Sequence, residues 1–314
     1  MTTWLPTFQI IFLSLFLQGL PFLLAGSLLG ACIGALVPVR ALTGRLPRST
    51  TGGILLGTVA GLLVPSCECV GAPLVRRLLR NGLSPAVAIA YLLASPALNP
   101  VCLISTWIAF QYDHPWLMVG TRAGGAVFIA VTVALVFSRR PVTRLLRAEL
   151  VAAPLTEPGW WENPPANWLA RRYPLTASCL ATGLADFLNV AFYYLSGCLL
   201  AAGVQTALPP YAPPDLHPGL LIPGFMGLSV VASLCSSADA FVARSFAGYP
   251  LAALFAFLWL GAVLDLKLLF MYRTIFTRGT VLTLAGWLVA LVLAMSLVAA
   301  WLPLERWFYG IIGG

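Results

Sequence analysis

Six long apolar runs follow one another along the chain, and each is long enough to cross a lipid bilayer. A membrane-spanning helix needs about 20 consecutive apolar residues. The pattern therefore predicts six spanning helices, at Phe8–Val37, Pro85–Phe110, Trp116–Phe137, Thr176–Leu208, Pro250–Met271 and Thr280–Leu302.

Two further apolar runs are too short to cross a bilayer as single helices. Gly52–Val64 leads into the stretch PSCECVG, and Gly219–Leu234 leads into the stretch CSSADAF. Apolar runs of this length more often enter a membrane and return than span it. We therefore expect two re-entrant hairpins, and eight full spans is the alternative.

The arginines favour the hairpins over the eight-span alternative. Short cytoplasmic loops of membrane proteins are enriched in Lys and Arg. The basic clusters can all lie on one side only if the segment 52–80 enters and leaves the membrane on that side. Both chain ends are then expected outside, and the clusters are Arg40–Arg48, Arg76–Arg80, Arg139–Arg147, Arg171–Arg172 and Arg273–Arg278.

The two halves of the chain repeat the same order of elements. When the halves are aligned, Cys67 lies over Cys235, and Asn99 lies over Asp265 after a two-residue gap. Each half holds an odd number of predicted spans, so the second half must cross the membrane in the opposite direction. Inverted repeats are typical of secondary transporters, whose sites lie near the middle of the bilayer.

These patterns predict an all-α polytopic membrane protein made of two inverted repeats. Each repeat has three transmembrane helices and one re-entrant helical hairpin. The first repeat covers residues 1–137 and the second covers residues 176–314. They are joined by a linker at 138–175, rich in Arg, Pro and Trp, that is expected on the cytoplasmic surface.

Composition supports a membrane protein and excludes a nucleic-acid-binding one. The chain is 60% hydrophobic and 9% charged, whereas soluble domains carry about 25% charged residues. The net charge of +8 is explained by arginines retained in cytoplasmic loops. The seven cysteines lie mostly in or beside apolar runs, so they do not form the disulfide framework of a secreted protein.

Ionisable residues within apolar runs are candidates for function, because inserting each one costs about 2.5–3.5 kcal/mol. Glu68 and Asp239 fall at the two hairpin turns. They are predicted either to couple transport to protons or to cap half-helices, where an anion is favoured. Asp186 and Arg122 lie nearer the ends of their runs, where they are expected to snorkel to the interface.

Asp265 and Lys267 are two residues apart in a single apolar run. On a continuous helix such residues do not face each other, so no ion pair between them is expected. Asp265 is predicted to line the midplane site. Lys267 is predicted either to reach the cytoplasmic interface or to pair with another carboxylate. Both are candidates for ion coupling.

The stretch SPALNP places two prolines, Pro96 and Pro100, four residues apart within a predicted span. Each proline removes a backbone donor and frees a carbonyl group. Ser95 and Asn99 then supply polar groups next to the freed backbone. The stretch predicts either a polar kink in a transport pathway or a purely structural kink.

Cys67 and Cys69 belong to the first hairpin, and Cys235 with Ser236 belongs to the second. Thiolates are soft ligands, so sulfurs that converge would suit a soft electrophile such as a trivalent arsenical. A redox-active Cys67–Cys69 pair and simple packing are the alternatives. No resident metal ion or cofactor is expected. The four other cysteines are interpreted as packing residues: Cys32, Cys102, Cys179 and Cys198.

Two long stretches, PSCECVGAPLVRRLLRNGLSPAVAIAYLLASPALNP and LCSSADAFVARSF with LGAVLDLKLLFM, resemble the signature blocks of a bacterial permease family. That family includes YraQ and the organoarsenical efflux permease ArsP. The resemblance implies an inner-membrane transporter of small solutes, adds Pro73 to the motif residues, and covers residues 52–110 and 219–273. Glu68, Val70 and Ser237 depart from the family pattern, so the arsenical substrate is not carried over.

The sequence therefore predicts a secondary-active exporter of a small solute that works by alternating access, and not an enzyme. No G-x-x-x-x-G-K-[ST] motif is present, so energy must come from an ion gradient, with protons as the candidate ion, or from a partner subunit. The alternatives are a membrane thiol redox protein and an uncoupled channel-like protein. The oligomeric state is left open.

Overall fold

The computed structural model describes residues 4–36, 49–63, 68–80, 82–151, 174–207, 218–246 and 248–301. Within these ranges every regular element is a helix, apart from one isolated antiparallel bridge between Leu146 and Phe276. The predicted all-α class is confirmed for the described residues.

Six helices lie in the described residues of the N-terminal half, and two single-turn helices follow them. The six are α1 (Trp4–Leu36), α2 (Thr50–Leu63), α3 (Glu68–Arg80), α4 (Pro85–Leu98), α5 (Pro100–Ala109) and α6 (Pro115–Ser138). The two short helices in the described part of the linker are α7 (Val142–Leu145) and α8 (Ala148–Val151).

The described C-terminal half has the same order of helices as the N-terminal half. A long helix comes first, two short helices follow, a pair separated by a brief break comes next, and a long helix ends the half. These are α9 (Pro174–Ala207), α10 (Pro218–Ala232), α11 (Asp239–Ser245), α12 (Leu251–Val263), α13 (Leu266–Tyr272) and α14 (Arg278–Trp301).

Five helical stretches in the described residues are long and apolar enough to cross a bilayer. They coincide with five of the predicted spans and are Pro85–Ala109, Pro115–Ser138, Cys179–Gly203, Leu251–Tyr272 and Arg278–Trp301. The remaining prediction, Phe8–Val37, falls on the 33-residue α1. The protein is thus a multi-pass membrane protein. Helices α2 and α10 have 14 and 15 residues, about 21–23 Å, which is shorter than the hydrocarbon core of a bilayer.

Helices α4 and α12 occupy the centre of the molecule. Every residue of α4 after Pro85 is buried, and so is every residue of α12 after Leu251. Helix α4 packs against α2, α3, α6 and α12, while α12 packs against α10 and α14 as well. A helix that is apolar on all sides is expected to be enclosed by other helices. By contrast, α14 exposes large apolar side chains such as Leu282 and Leu297 to the outside.

The two ends of the segment α2–α3 lie at the same end of the molecule. Ser49 and Thr50, before and at the start of α2, border a cavity of ≈ 400 Å³ together with Gly82 and Ser84, which follow α3. Phe137 and Ser138 at the end of α6 border the same cavity, together with Arg140, Val142 and Leu145 after it.

The described part of the linker packs against the turn between α13 and α14. Thr277 N donates to Leu145 O at 3.1 Å, and Arg147 N donates to Ile275 O at 3.1 Å. The Arg147 guanidinium also donates to the Tyr193 hydroxyl in α9 at 3.0 Å. The start of the linker is therefore attached to the C-terminal half, while residues 152–173 lie outside the described residues.

Candidate functional site

Three described breaks interrupt the short and central helices. They lie at Asn99 between α4 and α5, at 233–238 between α10 and α11, and at 264–265 between α12 and α13. The corresponding residues between α2 and α3, 64–67, lie outside the described residues. A helix that ends inside a membrane protein leaves backbone groups that need other partners. Most of the buried charged side chains in the described residues lie at these breaks or contact them.

The break at Asn99 follows from the SPALNP stretch. Pro100 has no N–H and restricts the preceding residue to an extended conformation, and Asn99 has φ −52° and ψ 128°. The Asn99 side-chain oxygen then accepts from Val101 N at 3.0 Å and caps α5. The predicted kink is present. Pro96 lies inside α4, beside the fully buried Ser95.

Asp265 caps α13 from the break that precedes it. Its backbone is extended, with φ −141° and ψ 175°, and its carboxylate accepts from Leu268 N at 2.6 Å. Its second oxygen, Oδ2, lies 3.3 Å from Lys267 Nζ. The expectation of no ion pair is wrong, because the helix begins only at Leu266 and the spacing rule for a continuous helix does not apply to Asp265.

Lys267 points into the protein. Its side chain is 6% exposed, so the predicted reach to the cytoplasmic interface is wrong. The ammonium donates to Ser233 O at 3.0 Å and Leu234 O at 3.4 Å, the carbonyls that follow α10. Ser233 has a φ of +47°, an unusual conformation for a residue other than glycine. Lys267 thus neutralises the negative end of α10.

Arg122 is the residue for which the structure differs most from the prediction made from the sequence. It is 1% exposed rather than at the interface, so the snorkelling prediction is wrong. Its Nη1 and Nη2 atoms donate to the two carboxylate oxygens of Asp239 at 2.9 Å and 2.8 Å. The same atoms donate to Thr106 Oγ1 at 3.0 Å and Ser236 O at 2.8 Å. Arg122 thus joins α6 of the N-terminal half to α11 of the C-terminal half.

The segment between α10 and α11, which we name the 233–239 loop, is held from both halves. Arg122 and Cys102 contact it from the N-terminal half, since Cys102 Sγ donates to Ser236 O at 3.1 Å. Lys267 contacts it from the C-terminal half. The site brings together two buried cations and two buried carboxylates, and its charges balance. A bidentate pair such as Arg122–Asp239 fixes the relative position of its two side chains as well as balancing their charges.

Asp239 does not act mainly as a helix cap. Ala238 is the residue at the N-cap position of α11, and it makes no side-chain capping bond. Asp239, in the first turn of that helix, is 2% exposed and turns both oxygens toward Arg122. Its predicted partner at the other hairpin, Glu68, begins α3, but the Glu68 side chain lies outside the described part of the structure.

The sulfur cluster remains a prediction. Cys67 and the side chain of Cys69 lie outside the described residues. Cys235 is half-buried, and its sulfur accepts from Ser237 Oγ at 3.5 Å. Among the described residues no group of three His, Cys, Asp or Glu side chains is placed to hold a metal ion. Pro73 lies inside α3.

Three site residues were missed by the sequence analysis: Arg122, Thr106 and Cys102. Arg122 was set aside for its position in its run, and Cys102 was assigned to packing alone. The few charges within apolar runs gave one indication that Arg122 is paired with an acidic residue. Asp239 is an anion within an apolar region, and Arg122 is one of the few cations within an apolar run of the other half. Buried charges in membranes are usually paired.

Comparison with known proteins finds relatives that are named as permeases or as UPF0718 proteins. A family described as ArsP_1, predicted permease, matches residues 5–301. UPF0718 protein YcgR of Bacillus subtilis is 32% identical over 92% of this chain and 95% of its own length. A putative two-component membrane permease complex subunit of Streptococcus mutans is 29% identical over 88% of this chain and 89% of its own length.

UPF0718 protein YraQ of Escherichia coli is 35% identical to a smaller part, 25% of this chain and 23% of its own length. No solved structure matches this chain significantly. Because the family match extends over nearly all of the chain, including α6 and the 233–239 loop, the protein belongs to the ArsP_1 family of predicted permeases.

Proposed function

We propose that this permease is a secondary-active exporter of a small solute that works by alternating access between its two halves. The observation that carries the proposal is the buried Arg122–Asp239 pair, which joins the halves where several helices are interrupted. Interrupted helices with buried charge at the junction of two repeats are typical of transporter binding sites. We take residues 1–137 and 176–314 as the two moving halves.

Two features support inverted repeats with re-entrant hairpins. The chain after α3 borders the cavity that also contains Ser138, at the C-terminal end of α6. The end of α11 lies near the N-terminal end of α6, because Arg244 forms an ion pair with Asp113, which precedes α6. Helix α6 has 24 residues and is about 36 Å long. The segments α2–α3 and α10–α11 therefore return toward opposite ends of α6, as inverted hairpins would.

Protons are the proposed coupling ion, with Asp239 and Glu68 as their carriers. A proton on Asp239 removes the charge that holds Arg122 and weakens the contact between the halves. The released guanidinium then favours a rearrangement of the 233–239 loop. Asp265 and Lys267 form the second charged pair, and a proton on Asp265 would remove the counter-charge of Lys267 while the bonds to the carbonyls that follow α10 stay in place.

The proposed substrate is a small, soft, thiol-reactive species such as a trivalent organoarsenical. Cys235 and Ser236 lie in the 233–239 loop, next to the Arg122–Asp239 pair. Cys67, Cys69 and Asn99 are the proposed contributors from the N-terminal half. Soft sulfur ligands suit a soft electrophile. The proposed location is the bacterial inner membrane, with the linker 138–175 in the cytoplasm.

Proteoliposomes with a trapped pH-sensitive dye test the proposal, with phenylarsine oxide as the probe. The native protein is expected to move arsenical and protons together, and Asp239→Asn is expected to abolish the proton signal. Arg244→Gln, which removes the partly exposed partner of Asp113, is the control and should transport normally. Arsenical flux without proton movement, unchanged in Glu68→Gln and Asp239→Asn, would contradict proton coupling. If the folded protein moves no arsenical either when purified or in membranes that contain the full set of cellular proteins, the proposed substrate class is wrong.

A partner subunit is the alternative source of energy. The Streptococcus mutans relative is named as a putative subunit of a two-component membrane permease complex. If this chain requires such a partner, the purified protein alone will leave arsenical and proton gradients unchanged. Membranes that contain the full set of cellular proteins will then show transport, whereas the purified protein will not.

A further inference from the structure

The cavity of ≈ 400 Å³ between α2, α4 and α6, named here the α2–α4–α6 cavity, lies away from the charged junction. Its volume falls within the range of small-molecule sites, about 300–1,000 Å³. Its polar lining consists of Ser49, Thr50, Ser84, Ser138 and Arg140. No carboxylate occurs among the described residues that line it.

The Ser49 and Ser84 hydroxyls and the Arg140 guanidinium can donate hydrogen bonds into the cavity, whereas the Ser138 hydroxyl already donates to Leu135 O at 2.7 Å. Ser49 Oγ accepts from Gly52 N at 3.1 Å, and Ser84 Oγ accepts from Val87 N at 3.4 Å. A hydroxyl that accepts a backbone N–H keeps its own hydrogen for another acceptor. Arg140 adds a guanidinium, a group with five N–H donors and no acceptor. A cavity with such donors, and with no carboxylate among its described lining residues, is suited to an anion.

Arg140 is held at the cavity by two contacts, one to Phe137 in the lining and one to Thr283, which is not among the described lining residues. Its Nη1 donates to Thr283 Oγ1 at 3.3 Å, and its Cζ lies 4.8 Å from the centre of the Phe137 ring. These contacts use one N–H and one face of the guanidinium. The remaining donors of the group are available to a planar or tetrahedral oxyanion, which is the ligand that Arg binds best.

The cavity also borders an apolar surface. Helix α2 contributes Thr50 and Gly53 to the lining and exposes Leu55, Leu56 and Val59 next to them, each about half exposed. In a membrane protein such side chains face acyl chains. Basic pockets at the membrane interface bind lipid phosphate groups. We propose that the α2–α4–α6 cavity binds a phosphate group, carried by an anionic lipid or free in solution.

The test compares thermal unfolding of the full-length protein in phosphatidylcholine nanodiscs under three conditions. These are no addition, phosphatidylglycerol in phosphate-free buffer, and inorganic phosphate without anionic lipid. Binding to the folded state raises the unfolding midpoint in a saturable way. A response to phosphatidylglycerol alone identifies a lipid headgroup as the source, and a response to inorganic phosphate identifies free phosphate.

Arg140→Gln should weaken the response about tenfold or more in apparent affinity, because it removes a charge-assisted hydrogen bond. Arg139→Gln is the matched control, since it removes the same charge one residue away, outside the cavity lining, and should respond like the native protein. Thr50→Glu is a second variant. An acidic residue is favoured in the first turn of α2, so the fold should persist while the added carboxylate repels the phosphate.

The proposal is supported if the apparent affinity for either probe falls about tenfold or more in Arg140→Gln, falls also in Thr50→Glu, and is kept in Arg139→Gln. It is overturned if neither probe shifts the native protein. It is equally overturned if Arg139→Gln loses the response as much as Arg140→Gln does, or if folded Thr50→Glu responds normally.

Discussion

At the scale of single residues, the difference between two ion pairs shows which charges matter. Arg122 and Asp239 are almost fully buried and share two hydrogen bonds of 2.9 Å and 2.8 Å. Arg244 and Asp113 also form a pair, but their side chains are 35% and 50% exposed. Exposed pairs contribute about 0–1 kcal/mol, whereas removal of one partner of a buried pair costs about 3–5 kcal/mol. Stability should therefore depend on the first pair far more than on the second.

Asp239→Leu and Arg122→Met are each expected to destabilise the folded protein by about 3–5 kcal/mol, because each leaves a buried charge without its counter-charge. The double variant should be more stable than the sum of the two losses predicts. Asp113→Asn should change stability by less than about 1 kcal/mol. Thermal or denaturant unfolding in detergent measures all four variants. Additive losses in the double variant would show that the two residues do not act as a pair.

At the scale of helices, α6 carries two different contacts between the halves. Its first part holds Arg122, and the neighbouring residues pack on α12, where Trp259 Nε1 donates to Thr121 O at 2.9 Å. Gly125 makes this approach possible, because a methyl group at that position would overlap the Trp259 indole. The contacts that the linker makes lie beyond this region of α6. The α6–α12 contact can therefore be tested on its own.

Gly125→Ala is expected to destabilise the protein by about 1–3 kcal/mol, the usual cost of overpacking. Gly124→Ala is the matched control, since nothing lies within 4 Å of a methyl group there. It should be neutral or stabilising by about 0.5–1 kcal/mol, because Ala favours a helix more than Gly does. The difference in unfolding midpoint between the two variants measures the effect, and equal midpoints would contradict the close α6–α12 contact.

The direction of the short helices is a second prediction at this scale. In inverted hairpins, a cysteine at Leu78 should label from the same side as one at Ser49, and a cysteine at Ser245 from the same side as one at Tyr112. Membrane-impermeant maleimide applied to intact cells and to inverted vesicles distinguishes the sides. If Leu78→Cys labels from the side opposite to Ser49→Cys, and Ser245→Cys from the side opposite to Tyr112→Cys, each of the two short apolar runs crosses the membrane and the eight-span alternative holds.

At the scale of the whole molecule, the apolar pattern predicted the membrane helices well, because hydrocarbon thickness fixes the length of a spanning helix. The break at Asn99 was also predictable, since Pro100 acts on its neighbours alone. The ion pair of Arg122 was not predictable, because its partner Asp239 lies 117 residues away. The contact between them depends on how the two halves pack. The prediction that Asp265 and Lys267 form no ion pair was wrong for a related reason. The spacing rule assumes a continuous helix, and the structure interrupts the helix at Asp265.

The central claim for the whole molecule is that the 233–239 loop opens to each side of the membrane in turn. Cys235 reports on this without any added residue, since it is native and half-buried in the loop. The measurement is the rate at which membrane-impermeant maleimide, added to one side or the other of proteoliposomes, modifies Cys235. Cys235→Ser provides the background from the other cysteines.

Alternating access predicts that Cys235 is modified from both sides, and that the balance between the sides shifts when a proton gradient or the arsenical probe is present. Modification from one side only, or from neither, in protein that still transports the probe would contradict the account.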